Sequence, residues 1–317
     1  MACLLPFGLL FSLNFHLSHQ GHHELLDDLL PSSIDGGQPR SRHMILIHTG
    51  DFANKGNIND ARNFIKWLKS SPKIRQGQYS EILVIDGNHD RDLRNPNAMN
   101  LVDLFNDSDD TEATTKQQPA AWKRKDGTLL QSSQQPLSPK IHFLQDELVI
   151  TKCGLRVFGA SWKTCESDTF WNSFENIVEP ITANSKHNTN VDVVLAHKNP
   201  KIPKGILFAQ GLQPESSYKG WRGSKELSSL VLNFSVPLCL TGHVHWSRGY
   251  VNVNNNKIIG DNNHVEDTTN SSNNSIFINS ASLWPGKRGV GVSSPVIIDY
   301  DLRQRKVIQL HCEPHPS

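Results

Sequence analysis

The chain has 317 residues, of which 37% are hydrophobic, enough to bury a full core in one large domain. Its formal net charge is +1, so no global electrostatic pull toward nucleic acid or anionic lipid is implied, and long polymeric nucleic acid is excluded as an obligate partner. The five cysteines (Cys3, Cys153, Cys165, Cys239 and Cys312) are odd in number and form no CxxC pair; a reduced, cytoplasmic protein is the simpler reading than a disulfide framework.

The N-terminus opens two readings. Residues 3–15 are apolar and imitate the core of a signal peptide, which would make the protein secreted. Yet no Lys or Arg precedes them, the first being Arg40, and no A-x-A-like cleavage site follows. The run is too short to span a bilayer, and no membrane association is expected. The other reading makes residues 9–15 the first strand of a single domain over 9–311.

Apolar runs of strand length then recur at 44–47, 82–85, 148–150, 155–158, 191–196, 236–240, 276–278 and 296–299. Many are rich in Ile and Val and bounded by Gly, Asn or Asp, as strands buried on both faces should be. Between the first two runs, residues 59–70 carry Ala61, Phe64, Ile65 and Leu68 at helical spacing with Asp60 near the start, which predicts an amphipathic helix. A second helix is predicted over 225–232. Strand–helix–strand early, then strands following one another, argues for α/β layers with mixed sheets. The polar stretches at about 106–135 and 252–275 lack apolar periodicity and read as flexible surface insertions.

Chemistry-bearing residues stand at the ends of four of these runs. They are Gly50-Asp51, Gly87-Asn88-His89-Asp90, His197, and Gly242-His243-Val244-His245. Each alone has a bland explanation: Gly-Asp is a common turn, and a single His at a strand end is more often a capped core residue. Two histidines two residues apart after a glycine are more specific, because both can turn toward one point. Asp, Asn and His after successive buried strands make a mixed oxygen and nitrogen donor set, which suits Mn, Fe, Zn or Mg rather than a thiolate centre.

In this order the motifs resemble those of the calcineurin-like metallophosphoesterases, whose pattern is D-x-H, G-D, G-N-H-D/E, H and G-H-x-H. The segments ILIHTGDF, NFIKWL, IHFLQDELVITKCGLRVFGASW, GHVHWSRGYV and FINSASLW are similar to the branch of metallophosphoesterase-domain-containing proteins. The resemblance spans about residues 44–300 apart from the two insertions. It implies a four-layer α/β/β/α sandwich of two mixed sheets, with two divalent metal ions at the C-terminal ends of the strands. Asp51 would bridge the ions, Asn88, His197 and His243 would complete one, and His19 and His245 would serve the other. His89 would act as general acid or charge stabiliser near the leaving group, oriented by an acidic neighbour such as Asp90. The reaction implied is hydrolysis of a small phosphomonoester or phosphodiester, or of a nucleotide, by a metal-bound hydroxide.

Two positions depart from the pattern. In the best register of the first motif, Leu17-Ser18-His19, leucine occupies the Asp position, and leucine cannot coordinate a cation. Three readings follow: an enzyme with a weak first-metal site, a degenerate member that binds phosphate ligands or acts as a scaffold without turnover, or an N-terminal sequence from a wrongly joined first exon. Near His197 the branch has T-H-G-P-P, whereas here Ala196-His197-Lys198-Asn199-Pro200 places an added positive charge beside the site.

Overall fold

The structure is a computed structural model that describes residues 8–13, 43–72, 74–75, 79–90, 101–107, 139–165, 174, 191–201, 223–245, 248–254, 274–281, 283–286, 289–292 and 296–311. In chain order the elements are β1 (Gly8–Leu13), β2 (His43–His48), α1 (Ile58–Ser70), β3 (Glu81–Ile85), α2 (Leu101–Asp107), β4 (Lys140–Leu144), β5 (Glu147–Ile150), β6 (Arg156–Gly159), α3 (Trp162–Cys165), β7 (Val193–Leu195), α4 (Lys225–Asn233), β8 (Leu238–Thr241), β9 (Gly249–Asn254), β10 (Asn274–Asn279), β11 (Leu283–Gly286), β12 (Gly289–Val292), β13 (Val296–Asp301) and β14 (Lys306–His311).

Two six-stranded mixed sheets carry the fold, in the orders β14-β13-β1-β2-β3-β4 and β5-β6-β7-β8-β10-β9. In the first, β1 to β4 run parallel, and β13 is antiparallel to β1. In the second, β6, β7, β8 and β10 run parallel, and β5 and β9 are antiparallel edges. Parallel strands end at a common edge, so the loops that follow them share one side of the sheet.

The expected mixed α/β class is what the chain adopts. Strands β2, β3, β7 and β8 are almost wholly buried, which is why their sequences read as continuous apolar runs. Their inward side chains form one cluster between the sheets, Ile45, Ile47, Leu83 and Ile85 meeting Val157, Val193, Leu195, Leu238 and Leu240. Opposite faces pack elsewhere. Ala61, Phe64, Ile65 and Leu68 of α1 lie against Leu46, Ile82 and Val84, while Leu227, Leu230 and Val231 of α4 lie against Val194, Cys239 and Phe277. Burying each such Leu, Ile or Phe contributes about 1.5–3 kcal/mol at most. Helix starts are capped, α1 by the Asn57 carboxamide accepting from Asn59 N–H at 3.0 Å and α4 by the Ser224 hydroxyl accepting from Leu227 N–H at 3.0 Å.

The first strand, expected over 9–15, begins one residue earlier and pairs with both β2 and β13. The expected insertion at 252–275 was drawn too wide: Asn252, Val253 and Asn254 belong to β9, and Asn274 and Ser275 pair back onto them in β10. Its centre, and most of the stretch at 106–135, lie outside the described residues. Residues 106–107 close α2, a seven-residue helix too short to show a sustained helical period in the sequence.

Candidate metal centre

Asp51 follows β2 at a tight junction. Gly50 stands at φ +95°, and a Cβ there would come within 2.7 Å of both the Gly87 nitrogen and Nδ1 of His197. Asp51 itself has φ +66°, rare for a residue with a side chain. The conformation is held from both directions. Phe52, fully buried, stacks on Phe64 at 4.8 Å and meets Phe105 and Phe143 edge-on. The Asp90 carboxylate accepts from the backbone N–H groups of Asp51, Ala53 and Gly87, each at 2.7 Å. Burial, with the charge of Asp51, pushes the Asp90 carboxyl well up, and the Gly87 and Ala53 N–H groups oppose the shift. The described bonds of Asp90 thus tie the loop after β2 to the loop after β3.

His197, fully buried after β7, points across to the first sheet. Its Nδ1 donates to the Thr49 carbonyl at 2.6 Å, which leaves Nε2 facing two oxygens, Asp51 Oδ2 at 3.1 Å and Asn88 Oδ1 at 3.0 Å. Two acceptors around one nitrogen require a positive centre there, either a proton on that nitrogen or a cation among the three atoms. Burial disfavours the imidazolium, but the Asp51 carboxylate outweighs it and raises the His197 pKa. For Asp51, burial opposes ionisation, while His197 and the His89 N–H, bonded to Oδ1 at 3.0 Å, hold its carboxyl well below the usual range.

His243 completes a cluster in which Asp51, His197 and His243 each offer a donor atom within 4.8 Å of the others. Burial and the charge on His197 push its pKa down to about 4, so its ring is neutral and has a lone pair to give near neutral pH. It sits at φ +65°, between Gly242, whose N–H donates to the His197 carbonyl at 3.2 Å, and Val244, whose N–H turns back to the Gly242 carbonyl at 2.7 Å. That i to i+2 bond with positive φ is the strained form of the γ-turn, which costs on the order of 1–3 kcal/mol.

Anionic oxygen, amide oxygen and neutral imidazole converge in a buried spot, the donor set that a borderline or hard divalent cation takes. The structure therefore brings together Asp51, Asn88, His197 and His243 of the expected ligands. His245 follows half-buried two residues on, its charge acting on His243. His89, half-buried, acts on both Asp51 and His243. His19 and Leu17 lie outside the described residues, but β1 ends at Leu13 opposite His48 in parallel register, so the chain leaves β1 at the edge that carries Asp51.

The sequence reading missed the residues that frame this cluster. Trp162, buried, packs its indole against His197 at 5.3 Å and His243 at 5.1 Å, and its backbone N–H donates to buried Asp86 at 3.0 Å. Thr49 contributes through a main-chain oxygen that no residue pattern advertises. Asn199, next but one after His197, accepts from the Thr241 hydroxyl at 2.9 Å, which joins the loop that departs from the branch pattern to the end of β8.

The family model for calcineurin-like phosphoesterases matches residues 16–247. The chain belongs to that family, whose members hydrolyse phosphoesters with divalent metal ions. Solved structures with similar folds include TT1561 of Thermus thermophilus, at 11% identity and TM-score 0.45, over 96% of this chain and 98% of that one. GAP50, titled the anchor in the inner membrane complex of Plasmodium, shares 12% identity at TM-score 0.42, over 98% of this chain and 90% of its own. A putative 5'-nucleotidase from Staphylococcus aureus, solved in complex with alpha-ketoglutarate, shares 11% identity at TM-score 0.40, over 98% of this chain and 55% of its own. No curated protein matches the chain. The family assignment rests on the family match and not on these structures.

Proposed function

We propose that the protein hydrolyses a small phosphomonoester or phosphodiester, a nucleotide among the candidates, using a pair of divalent cations. The observation that carries this reading is His197 Nε2 facing Asp51 Oδ2 and Asn88 Oδ1 with His243 in the same cluster. Asp51, Asn88, His197 and His243 would hold one cation, and Asp51, His245 and His19 the other. Divalent cations there supply Lewis acidity to the phosphoryl oxygens and acidify a bound water. The chain's own groups do the rest. Thr49 fixes the His197 tautomer by accepting from Nδ1, so that Nε2 faces the site. Trp162 covers the two imidazoles and keeps bulk water from that side. His89 delivers a proton to the leaving oxygen, and Asp90 acts on it indirectly, by holding the loops from which His89 and Asp51 project.

The test is metal content of the purified full-length chain with a panel of phosphoesters at several pH values. At least one Mn, Fe or Zn per chain is expected, with turnover that a chelator abolishes. A protein that carries no metal and ignores added divalent ions would remove the basis of the assignment. A second reading, phosphate-ligand binding without turnover, is favoured by Leu17 in place of the first-motif acid; metal and phosphate binding with no hydrolysis of any panel member would select it. Among the described residues no helix is long and apolar enough to cross a membrane, and the odd number of cysteines with no CxxC pair supports a cytoplasmic placement.

A further inference from the structure

The turn that presents His243 is strained, and the residue that keeps it in shape is on another strand. Asn279 ends β10, fully buried. Its Nδ2 donates to the Val244 carbonyl at 2.7 Å, and its Oδ1 accepts from Ala281 N–H at 3.1 Å. Both ends of the carboxamide are thus fixed, so its orientation is set by one partner two residues on and one from a separate loop. The neighbouring Ser280 hydroxyl bonds the Thr241 carbonyl at 2.9 Å and the Thr49 hydroxyl at 3.2 Å, and Arg248 Nη1 donates to the carbonyls of Ser280 and Ala281 at 3.1 and 3.2 Å. The strand-end segment 279–281 is therefore a buried strut under the loop 241–245.

We infer that Asn279 is a positioning residue for the metal centre: it pins the Val244 carbonyl, and so holds the γ-turn at His243 in the conformation that turns that imidazole toward Asp51 and His197. The γ-turn is clamped on its other side by Gly242 N–H on the His197 carbonyl. Without Asn279 one clamp is gone. His243 then relaxes toward ordinary backbone geometry and its ring leaves the cluster, while β8 and β10 still pair through Thr241 and Asn279 main chains. This inference rests on the proposed metal role of His243.

The experiment uses the full-length chain freed of metal, with cobalt(II) alone as probe. Calorimetric titration gives the dissociation constant, and the visible d–d absorption reports the coordination geometry. Asn279→Ala and Asn279→Leu are compared with Val231→Ala, a core change on α4 that lowers the melting temperature away from the site. Both Asn279 variants are expected to weaken cobalt binding by about 10–100-fold, the range for residues that orient metal ligands, and to alter the absorption. Val231→Ala should leave both unchanged. Leucine fills the volume that alanine vacates, so restoration by leucine would show that packing and not the hydrogen bond matters, and would overturn the proposal. So would Asn279 variants that bind as Val231→Ala does. If the wild-type chain itself takes up no cobalt, the metal reading fails and this inference falls with it; if wild type and variants bind alike, only the inference fails.

Discussion

Replacing Gly50 by alanine separates backbone strain from crowding at the metal site. Gly50 and Gly154 have nearly the same φ, +95° and +91°, so a methyl group at either pays a positive-φ penalty of about 1–2 kcal/mol. Their surroundings differ. At Gly154 nothing lies within 4 Å of the added Cβ. At Gly50 the new atom meets the Gly87 nitrogen and His197 Nδ1 at 2.7 Å and the Asp86 carbonyl carbon at 2.9 Å. Two of these three atoms are main chain and cannot rotate away, so overpacking adds a further cost of about 1–3 kcal/mol. Urea denaturation in the presence of a chelator reads the folding term without the metal. Gly154→Ala should lose about 1–2 kcal/mol and keep wild-type metal affinity. Gly50→Ala should lose clearly more, and should bind metal weakly, because His197 Nδ1 is displaced from the Thr49 carbonyl. Equal losses for the two variants, within about 0.5 kcal/mol, with metal binding intact in both, would refute the account of how the loop after β2 meets His197.

His89→Ala should slow hydrolysis of esters with poor leaving groups by about 10²–10⁴, the range for losing an acid–base group, with metal content preserved and nitrophenyl esters less affected; equal losses on both substrate types together with loss of metal would make His89 a ligand. Leu17→Asp should raise metal occupancy toward two per chain and increase turnover, with Leu17→Asn restoring less, as metal analysis and rate assays would show; no change in a folded protein removes the claim that this leucine limits the site. His142, packed beside Glu81 at 3.2 Å, has its pKa lowered by burial against the pull of that carboxylate. The unfolded chain therefore takes up the proton first, and the stability associated with neutral His142 is present above about pH 6.5 and lost as pH falls below it. His142→Gln should flatten the fall in melting temperature over that window, and an unchanged slope would rule the residue out.

The strands most legible in the sequence are those buried on both faces. Runs 44–47 and 82–85 carry no polar interruption because neither face of β2 or β3 meets water. Two edge strands escaped for the opposite reason: β9 carries exposed Asn252 and β14 exposed Ile308 and Gln309 beside Lys306, and such segments read as loop. At the site, side chains able to bind metal announced themselves by type and place. The framing groups did not. Asn279 stands at a strand end with no motif around it, Trp162 carries no metal-ligand chemistry, and the Thr49 contribution is a carbonyl. The backbone N–H groups that Asp90 accepts from are equally invisible in residue type.

The cluster also explains why the two sheets must be packed before any ligand set exists. Asp51 and Asn88 come from the first sheet, His197 and His243 from the second, and neither sheet alone holds enough donors for a cation. The bonds His197 to Thr49, His197 to Asp51, Thr49 to Ser280 and Trp162 to Asp86 all cross from one sheet to the other at the same edge. Beneath them, the inter-sheet cluster of Ile45, Ile47, Leu83, Val193, Leu195 and Leu238 sets the separation. Metal binding and sheet packing are thus coupled, since a ligand that binds only the assembled edge stabilises that assembly. The parallel pairing of β1 with β2 places Leu13, the last residue of β1, at this edge as well. If two cations bind as proposed, a leucine in place of the first-motif acid would take one carboxylate from one of them and leave the four converging groups intact, so impairment of a single metal site, and not loss of the whole centre, is what the proposal predicts.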